Sequence, residues 1–479
     1  MADLLSQNLS TTGTSSTNQL EALVESFRNT EQPKLDSLAV RKKALESKRL
    51  FFTNLANKID NLYSSFDKFG SFNSSVYTKN DTIDSKFSAR SVTSSKSEVM
   101  TATADGTATL TSTSVSVTRV ATSDVLISDR KTLSTSFGLS GTYAFDLTIG
   151  TKTTNISVSL DAAETNETAM KKISDAINAA TDVGMKSIVI KDTTSTAKMS
   201  WTATNSGGTN NIKFTDSPIL NALGITTGAL KPGLTNRKAA TATGAGFGEA
   251  DYNDLDALIN INGIDITRSS NTINDVITGV TLSLLKPQET GDAPVTLTTG
   301  VDIKAIKDMF TPITQAYNEL QKYLNENKKL QRDDSSISSL VSRLRSTISG
   351  GSANAGTLRT LMDIGFKVGD DGTLMFSDDT KLKKALEERP TEVASLFTAS
   401  DGFVSRINSA MYNLRGDKGL IDSRQNSITS QLDTNKTQTS RMQERIDSQA
   451  NNLRKQYSSY LKTYYQAQGQ YQWVMSTTV

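Results

Sequence analysis

Apolar residues recur every seven positions at the two ends of this chain and every second position in its middle, and that division limits the fold more than any other feature. Near the start, Leu38, Leu45, Phe52, Ile59 and Phe66 form one seven-residue series. Arg41, Lys48, Leu55, Leu62 and Phe69 form its companion three residues later, so the two together make a coiled-coil seam. The seam is apolar from Phe52 to Phe69 and polar before it, and Gly70 is a natural C-terminal stop. Upstream, a Ser/Thr-rich lead-in over 8–19 precedes Leu20, Leu23, Val24 and Phe27, which share one helix face. Pro33 predicts an interruption there and the first turn of a second helix.

The other end mirrors this. Ile303, Ile306, Phe310, Ile313, Tyr317, Leu320 and Leu324 alternate steps of three and four, with Pro312 predicting a kink or a helix start. Asp333, Asp334 and Ser335 can cap a helix with Ile337, Leu340, Val341, Leu344 and Ile348 on one side, ended by Gly350. Residues 364–376 read as a hairpin around Gly369-Asp-Asp-Gly372, followed by a helix that stops before Pro390. A last helix is predicted over 421–473, with Leu432, Thr439, Ile446, Leu453, Tyr460, Ala467 and Val474 in series beside Ala450, Tyr457, Tyr464 and Tyr471. Many of these seam residues are small, polar or aromatic, too weak for a solitary helix pair and suited to a larger bundle.

Between the ends, from 81 to 300, Ser, Thr, Gly and Asn dominate and the period is two, as in Val115 and Val117 or Ile156, Val158 and Leu160. Asn262-Gly263 between short apolar runs is a strong hairpin signal. Within 141–230 the pattern reads as a strand pair, a helix with Met170, Ile173 and Ile177 on one face, then more strands. The small-residue stretch 241–248 reads as a joint, so one domain is inserted in another.

The fold class expected is therefore α+β and multidomain, with paired N- and C-terminal coiled-coil helices as legs and inserted β-rich head domains. The expected segments are an N-terminal helical leg at 1–80, a discontinuous β-rich head at 81–130 plus 245–300, and an inserted β/α head domain at 131–244. A helical leg domain with a small hairpin follows at 301–420, then a C-terminal coiled-coil helix at 421–479. Hydrophobic residues at 36% are low for a compact globule, which predicts an elongated or partly unfolded molecule.

Composition removes many chemistries. With no cysteine and no histidine there is no disulfide, no thiolate nucleophile, no Cys/His zinc site and no Ser-His-Asp arrangement. The 52 basic and 50 acidic residues nearly cancel, which leaves no general pull on nucleic acid. No stretch approaches the length of a membrane span, and the first residues lack the pattern of a cleaved secretion signal. The basic run 41–49 lies on a heptad helix and reads as a solvated face. Gly244-x-Gly-x-Gly248 is not a dinucleotide fingerprint, and Gly369–Gly372 with Asp378 and Asp379 does not match a calcium loop. No catalytic residue, metal ligand or cofactor is expected.

The aromatic residues are the most unusual feature. Tyr457, Tyr460, Tyr464, Tyr465, Tyr471 and Trp473 crowd one short stretch of a chain with 12 Tyr and 2 Trp. They fall on more than one side of a helix, which favours an intermolecular interface over packing within one chain. The candidate assembly interface is therefore these six together with Phe52, Leu55, Ile59, Leu62 and Phe66.

The chain resembles the flagellar filament cap proteins, the hook-associated protein 2 family. The resemblance is carried by Leu20-Glu-Ala-Leu-Val-Glu25, by Asn262-Gly-Ile-Asp-Ile-Thr-Arg268 and by Asn271-Thr-Ile-Asn-Asp-Val-Ile-Thr-Gly-Val-Thr-Leu282. It continues in Tyr317-Asn-Glu-Leu320, Ile364-Gly-Phe366, Asp371-Gly-Thr-Leu374 and the run from Leu382 to Phe397. The stretch 141–224 is similar to a flagellin-related insert. The resemblance implies a structural cap, not an enzyme, at the distal end of the filament outside the cell. There it would promote flagellin polymerisation and prevent loss of exported monomers. It implies a homo-oligomeric ring, commonly about five subunits, with flagellin, the flagellar type III export apparatus and an export chaperone as partners. A host mucin or other surface stands as a further candidate partner, with no nucleic acid and no membrane span. Another flagellar axial protein, such as a hook–filament junction protein or flagellin, and a filament-tip adhesin remain as alternatives.

Overall fold

Helices form where the seven-residue series predicts them, and they are longer than the proline rule allows. The computed structural model describes residues 14–71, 78–333, 335–415 and 419–477. Lead-in residues 8–13, and Asp334 of the proposed cap, lie outside the described residues. One compact unit takes the chain up to Asp84, Lys307–Ala385 and everything from Thr391; the other takes Ser85–Ile306 with Leu386–Pro390.

In the first unit a single helix runs over Thr14–Ser64, through Pro33. The expected break is absent. Pro33 sits on the exposed side, so its missing donor and displaced carbonyl face water. On the other side, Glu31 is held by Lys34 (2.6 Å) and by Arg445 of the C-terminal helix (2.9 Å). The helix ends at Ser64 rather than Phe69, and tighter turns follow, with Phe66 N–H on Tyr63 and Phe69 N–H on Phe66.

Pro312 likewise lies inside one continuous helix, Ile303–Glu326. Phe310 and Ile313, 3% and 2% exposed, anchor the backbone on either side of it. Burying two such side chains offsets the roughly 3 kcal/mol that an interior proline costs. The helix Ser335–Ser349 stops before Gly350, the hairpin pairs Phe366–Val368 with Leu374–Phe376, and Pro390 opens the helix Pro390–Thr398. The Asp residues there serve as turn and cap. Asp371 accepts from the Thr373 backbone and hydroxyl, and Asp378 accepts from the Thr380 and Lys381 N–H groups.

The second unit holds two cores. One gathers Val115, Val117, Ile259, Leu282 and Leu297 between a five-stranded sheet and a three-stranded sheet. In its hairpin Ala257–Ile261 pairs with Ile264–Arg268, and the turn residues Asn262 and Gly263 have φ of 50° and 90°, the left-handed pair a two-residue turn needs. The other core belongs to the insert and packs Met170, Ile173 and Ile177 of the helix Asn166–Ala179 against Trp201, Phe145 and Leu147. Leu126, Ala245 and Phe247 belong to this insert core, and the strand Ser123–Ile127 pairs with both Thr196–Ser206 and Gly246–Phe247. The chain therefore passes into the insert core a few residues before 130 and leaves it beyond 244. Within 241–248 the residues Gly246–Phe247 form a short packed strand, where a side chain at Gly246 would meet the backbone of Ala239 and Ala240 at 2.4 Å.

Candidate assembly interface

Side-chain pairs show how the N-terminal helix and the C-terminal helix, Leu420–Thr477, meet within the first unit. Gln425 donates to Thr53 at 3.3 Å, Asn435 to the Leu38 carbonyl at 3.2 Å, Arg445 to Glu31 at 2.9 Å and Arg28 to Asp447 at 3.0 Å. Arg454 grips Glu21 with two nitrogens, at 2.8 and 3.1 Å. Partner numbers fall on one helix as they rise on the other, so the pairing is antiparallel. The Arg454 hydrogen bond holds the Glu21 carboxyl below its usual range, and Lys34, then Arg445, do so for Glu31. These pairs are exposed, so they select register more than they add stability. Val24, Leu45, Ile428, Ile446 and Ala450 supply the buried contacts of the seam.

The N-terminal candidates lie in the interior. Phe52, Leu55, Ile59, Leu62 and Phe66 are each 4% exposed or less. Phe66 enters a ring cluster, 6.1 Å from Phe69 and 5.9 Å from Phe403, which continues through Phe310 and Phe397 at 4.3 Å. Arg415 closes the base of this region by bonding Asp60 at 2.9 Å and Asp422 at 2.7 Å, contacts that raise its own pKa. These five residues hold the chain's own helices together and present almost no surface.

The C-terminal candidates differ. Tyr457 is half-buried, and its hydroxyl donates to Gln19 at 3.5 Å. Beyond it Tyr460, Tyr465, Tyr471 and Trp473 are 47%, 49%, 67% and 67% exposed. The tyrosines pack on one another along the helix. Tyr457 and Tyr460 lie 6.5 Å apart, Tyr460 and Tyr464 are stacked at 6.5 Å, and Tyr464 meets Tyr465 edge-on at 5.8 Å. The structure thus separates the eleven residues into a buried base and an exposed aromatic end. Among the described residues no group of three acidic side chains could hold a metal ion, and no helix is long and apolar enough to cross a membrane.

Two features escaped the sequence reading. The ion-pair ladder shows only when the two ends are aligned head to tail. Asn435, 1% exposed with its amide oxygen unpartnered among the described residues, sits in the series Ile421, Ile428, Asn435, where a polar residue in a seam specifies register.

The chain matches known proteins along this same layout. A family model described as flagellar hook-associated protein 2 N-terminus matches residues 16–124, and one described as flagellar hook-associated protein 2 C-terminus matches residues 255–467. The matches stop and resume where the chain crosses into and out of the insert. Among curated relatives, the B-type flagellar hook-associated protein 2 of Pseudomonas aeruginosa is 26% identical over 391 residues, covering 78% of this chain and 79% of that protein. The flagellar hook-associated protein 2 of Salmonella typhimurium is 28% identical over 285 residues, covering 56% and 57%. Among solved structures, the D1-D2-D3 domains of the flagellar cap protein FliD from Escherichia coli share the fold. That structure has a TM-score of 0.53 and 22% identity, covering 79% of this chain and 99% of that one.

Proposed function

The chain belongs to the flagellar hook-associated protein 2 family, and from that premise we propose that its exposed aromatic end seats it as the cap at the filament tip, outside the cell. There it is a structural assembly factor: flagellin adds beneath it, and exported monomers are kept from escaping. A homo-oligomeric ring of about five copies fits this role. Passage through the flagellar type III export apparatus with a chaperone's help is part of the same reading, supported by a chain without cysteine that can form no disulfide before or during export. The segment map with an inserted head at 131–244 serves as its working division. No feature of the described residues speaks for attachment to host mucin, and we do not propose it.

One observation carries the reading. The C-terminal helix continues beyond Tyr457, whose hydroxyl reaches Gln19 of the other helix, and carries there Tyr460, Tyr465, Tyr471 and Trp473, 47–67% exposed. Burying an aromatic ring contributes about 2–3 kcal/mol, so several per subunit, multiplied around a ring, would anchor a cap. The test is a strain carrying a gene truncated before Tyr457. The expected result is an exported protein with a folded head that is not retained at the tip, flagellin in the medium, and short or missing filaments. Normal filaments with little free flagellin, the truncated protein being found outside the cell, would refute the aromatic anchor.

A further inference from the structure

Asn262-Gly263 is the one Asn-Gly step in the chain, and such a step carries a chemistry of its own. Once the glycine N–H gives up its proton, its nitrogen can attack the side-chain amide of the residue before it. A bond forms between the Gly263 nitrogen and Asn262 Cγ, and the amide nitrogen leaves with the released proton as ammonia. Water then opens the cyclic imide at either carbonyl. One opening gives aspartate, the other isoaspartate, in which the main chain runs through the former side chain. Sterically the step is open: both residues are exposed, and a Cβ added at Gly263 would meet nothing within 4 Å.

Hydrogen bonds treat the two reacting groups differently. The Asn262 amide oxygen accepts from the Ser114 N–H at 3.0 Å, while the Asn262 N–H donates to the Ser114 carbonyl at 3.0 Å. That oxygen is where negative charge gathers when the amide carbon is attacked, so the Ser114 bond does not oppose the reaction. The brake lies on the nucleophile. Gly263 N–H donates to Asn260 Oδ1 at 2.9 Å, and Asn260 is itself fixed by donating its amide to Asp265 at 2.6 Å. A bond to the protonated form of a group makes its proton harder to remove.

The hairpin depends on this step staying intact. Ala257–Ile261 pairs with Ile264–Arg268, and Ile261 opposite Ile264 closes the two-residue turn. Ile264–Arg268 is the outermost strand of its five-stranded sheet, paired on one side only. Isoaspartate adds a main-chain atom to a turn whose two positive φ values leave no slack, and the outer strand would lose its register.

We propose that Asn262 is a site of spontaneous deamidation that the folded head holds nearly shut, and that Asn260, by keeping the Gly263 N–H occupied, is the positioning residue that sets its rate.

The test follows the full-length protein in mildly alkaline buffer, with tandem mass spectrometry of the tryptic peptide 239–268 reading conversion at 262 over time. The parent should convert slowly when folded and much faster once unfolded in urea at the same pH. Asn260→Ala frees the Gly263 N–H and should convert about fivefold faster than the folded parent, the factor one lost hydrogen bond of ordinary strength supplies. Asp265→Ala cuts the same cross-strand bond but leaves Asn260 Oδ1 for Gly263, so it should accelerate conversion less. A merely structural role for Asn260 would move both variants alike. Circular dichroism checks that each is folded, and Asn260→Val, a better strand former, gives the same reading should alanine loosen the strand. Equal rates for the folded and unfolded parent would show that the fold holds nothing shut. Folded Asn260→Ala and Asn260→Val converting at the parent rate, or Asp265→Ala converting as fast as they do, would remove Asn260 from its role.

Discussion

Removing the Arg237 side chain should destabilise the insert far more than its parent head. Both members of the Arg237–Asp124 pair are fully buried and 2.6 Å apart. Arg237 also donates to the Glu249 carbonyl at 2.8 Å, and its guanidinium lies 4.1 Å from the centre of the Phe247 ring. Asp124 accepts in addition from the Ile212 N–H at 2.8 Å. In Arg237→Ala the carboxylate stays buried with that single donor, a loss of about 3–5 kcal/mol for a broken buried pair. Trp201, 0% exposed in the insert core, reports this transition, and replacing Trp473 by Phe makes it the sole tryptophan. With a urea slope of about 2 kcal/mol per molar, the Trp201 midpoint should fall by ~1.5–2.5 M. Asp124→Leu combined with Arg237→Met removes both charges and strands only neutral backbone groups, the Ile212 N–H and the Glu249 carbonyl, so it should lose less than Arg237→Ala alone. A single mutant within about 1 kcal/mol of the parent, with the double mutant worse, would mean the pair does not hold the insert.

Periodicity made most of the fold legible. Leu55, Ile59 and Leu62 are buried because a helix must turn its seven-residue stripe inward, and Asn262-Gly263 turns because few other residue pairs accept two positive φ values. The misreadings share one cause, which is distance along the chain. Local rules end a helix at Pro33 and Pro312, yet Arg445 on Glu31, and Phe397 against Phe310 at 4.3 Å, hold those helices from elsewhere. Gly244–Gly248 reads locally as a loose joint. What makes Gly246–Phe247 within it a strand is Ser123–Ile127, to which they pair across more than a hundred residues. Arg237 and Asp124 are 113 positions apart and carry no local signal at all. For the interface, sequence could name the aromatic residues but could not separate those that hold the chain together from those that face outward. That separation depends on what each residue packs against in the folded chain, and the alternation of small, polar and aromatic residues does not reveal it.

Within the seam, Phe52→Asp would bury an unpaired carboxylate at a position 4% exposed and should cost more than ~3 kcal/mol in a urea melt. Lys43→Asp, on the exposed side, should change stability by under ~0.5 kcal/mol, and equal effects would refute the register. At the exit from the insert, Gly246→Ala should destabilise by about 1–3 kcal/mol, because its Cβ would lie 2.4 Å from backbone. Gly248→Ala meets only Val125 at 3.6 Å and should be near neutral; the same Trp201 melts would expose the reverse order. Alkaline titration tests the core of the first unit, where burial pushes the Tyr317 phenol up to about 12 from an ordinary 10.0, outweighing the Gln321 bond that lowers it. The folded state therefore keeps a proton that the unfolded chain releases, so this contribution is fully present below pH 10 and is lost as pH rises from about 10 to about 12. Tyr317→Phe should flatten the fall in stability across that window while leaving the rest of the pH profile unchanged. An unaltered slope between pH 10 and 12 would mean that Tyr317 ionises as readily in the folded protein as in the unfolded chain, and that its burial beside Gln321 has been misread.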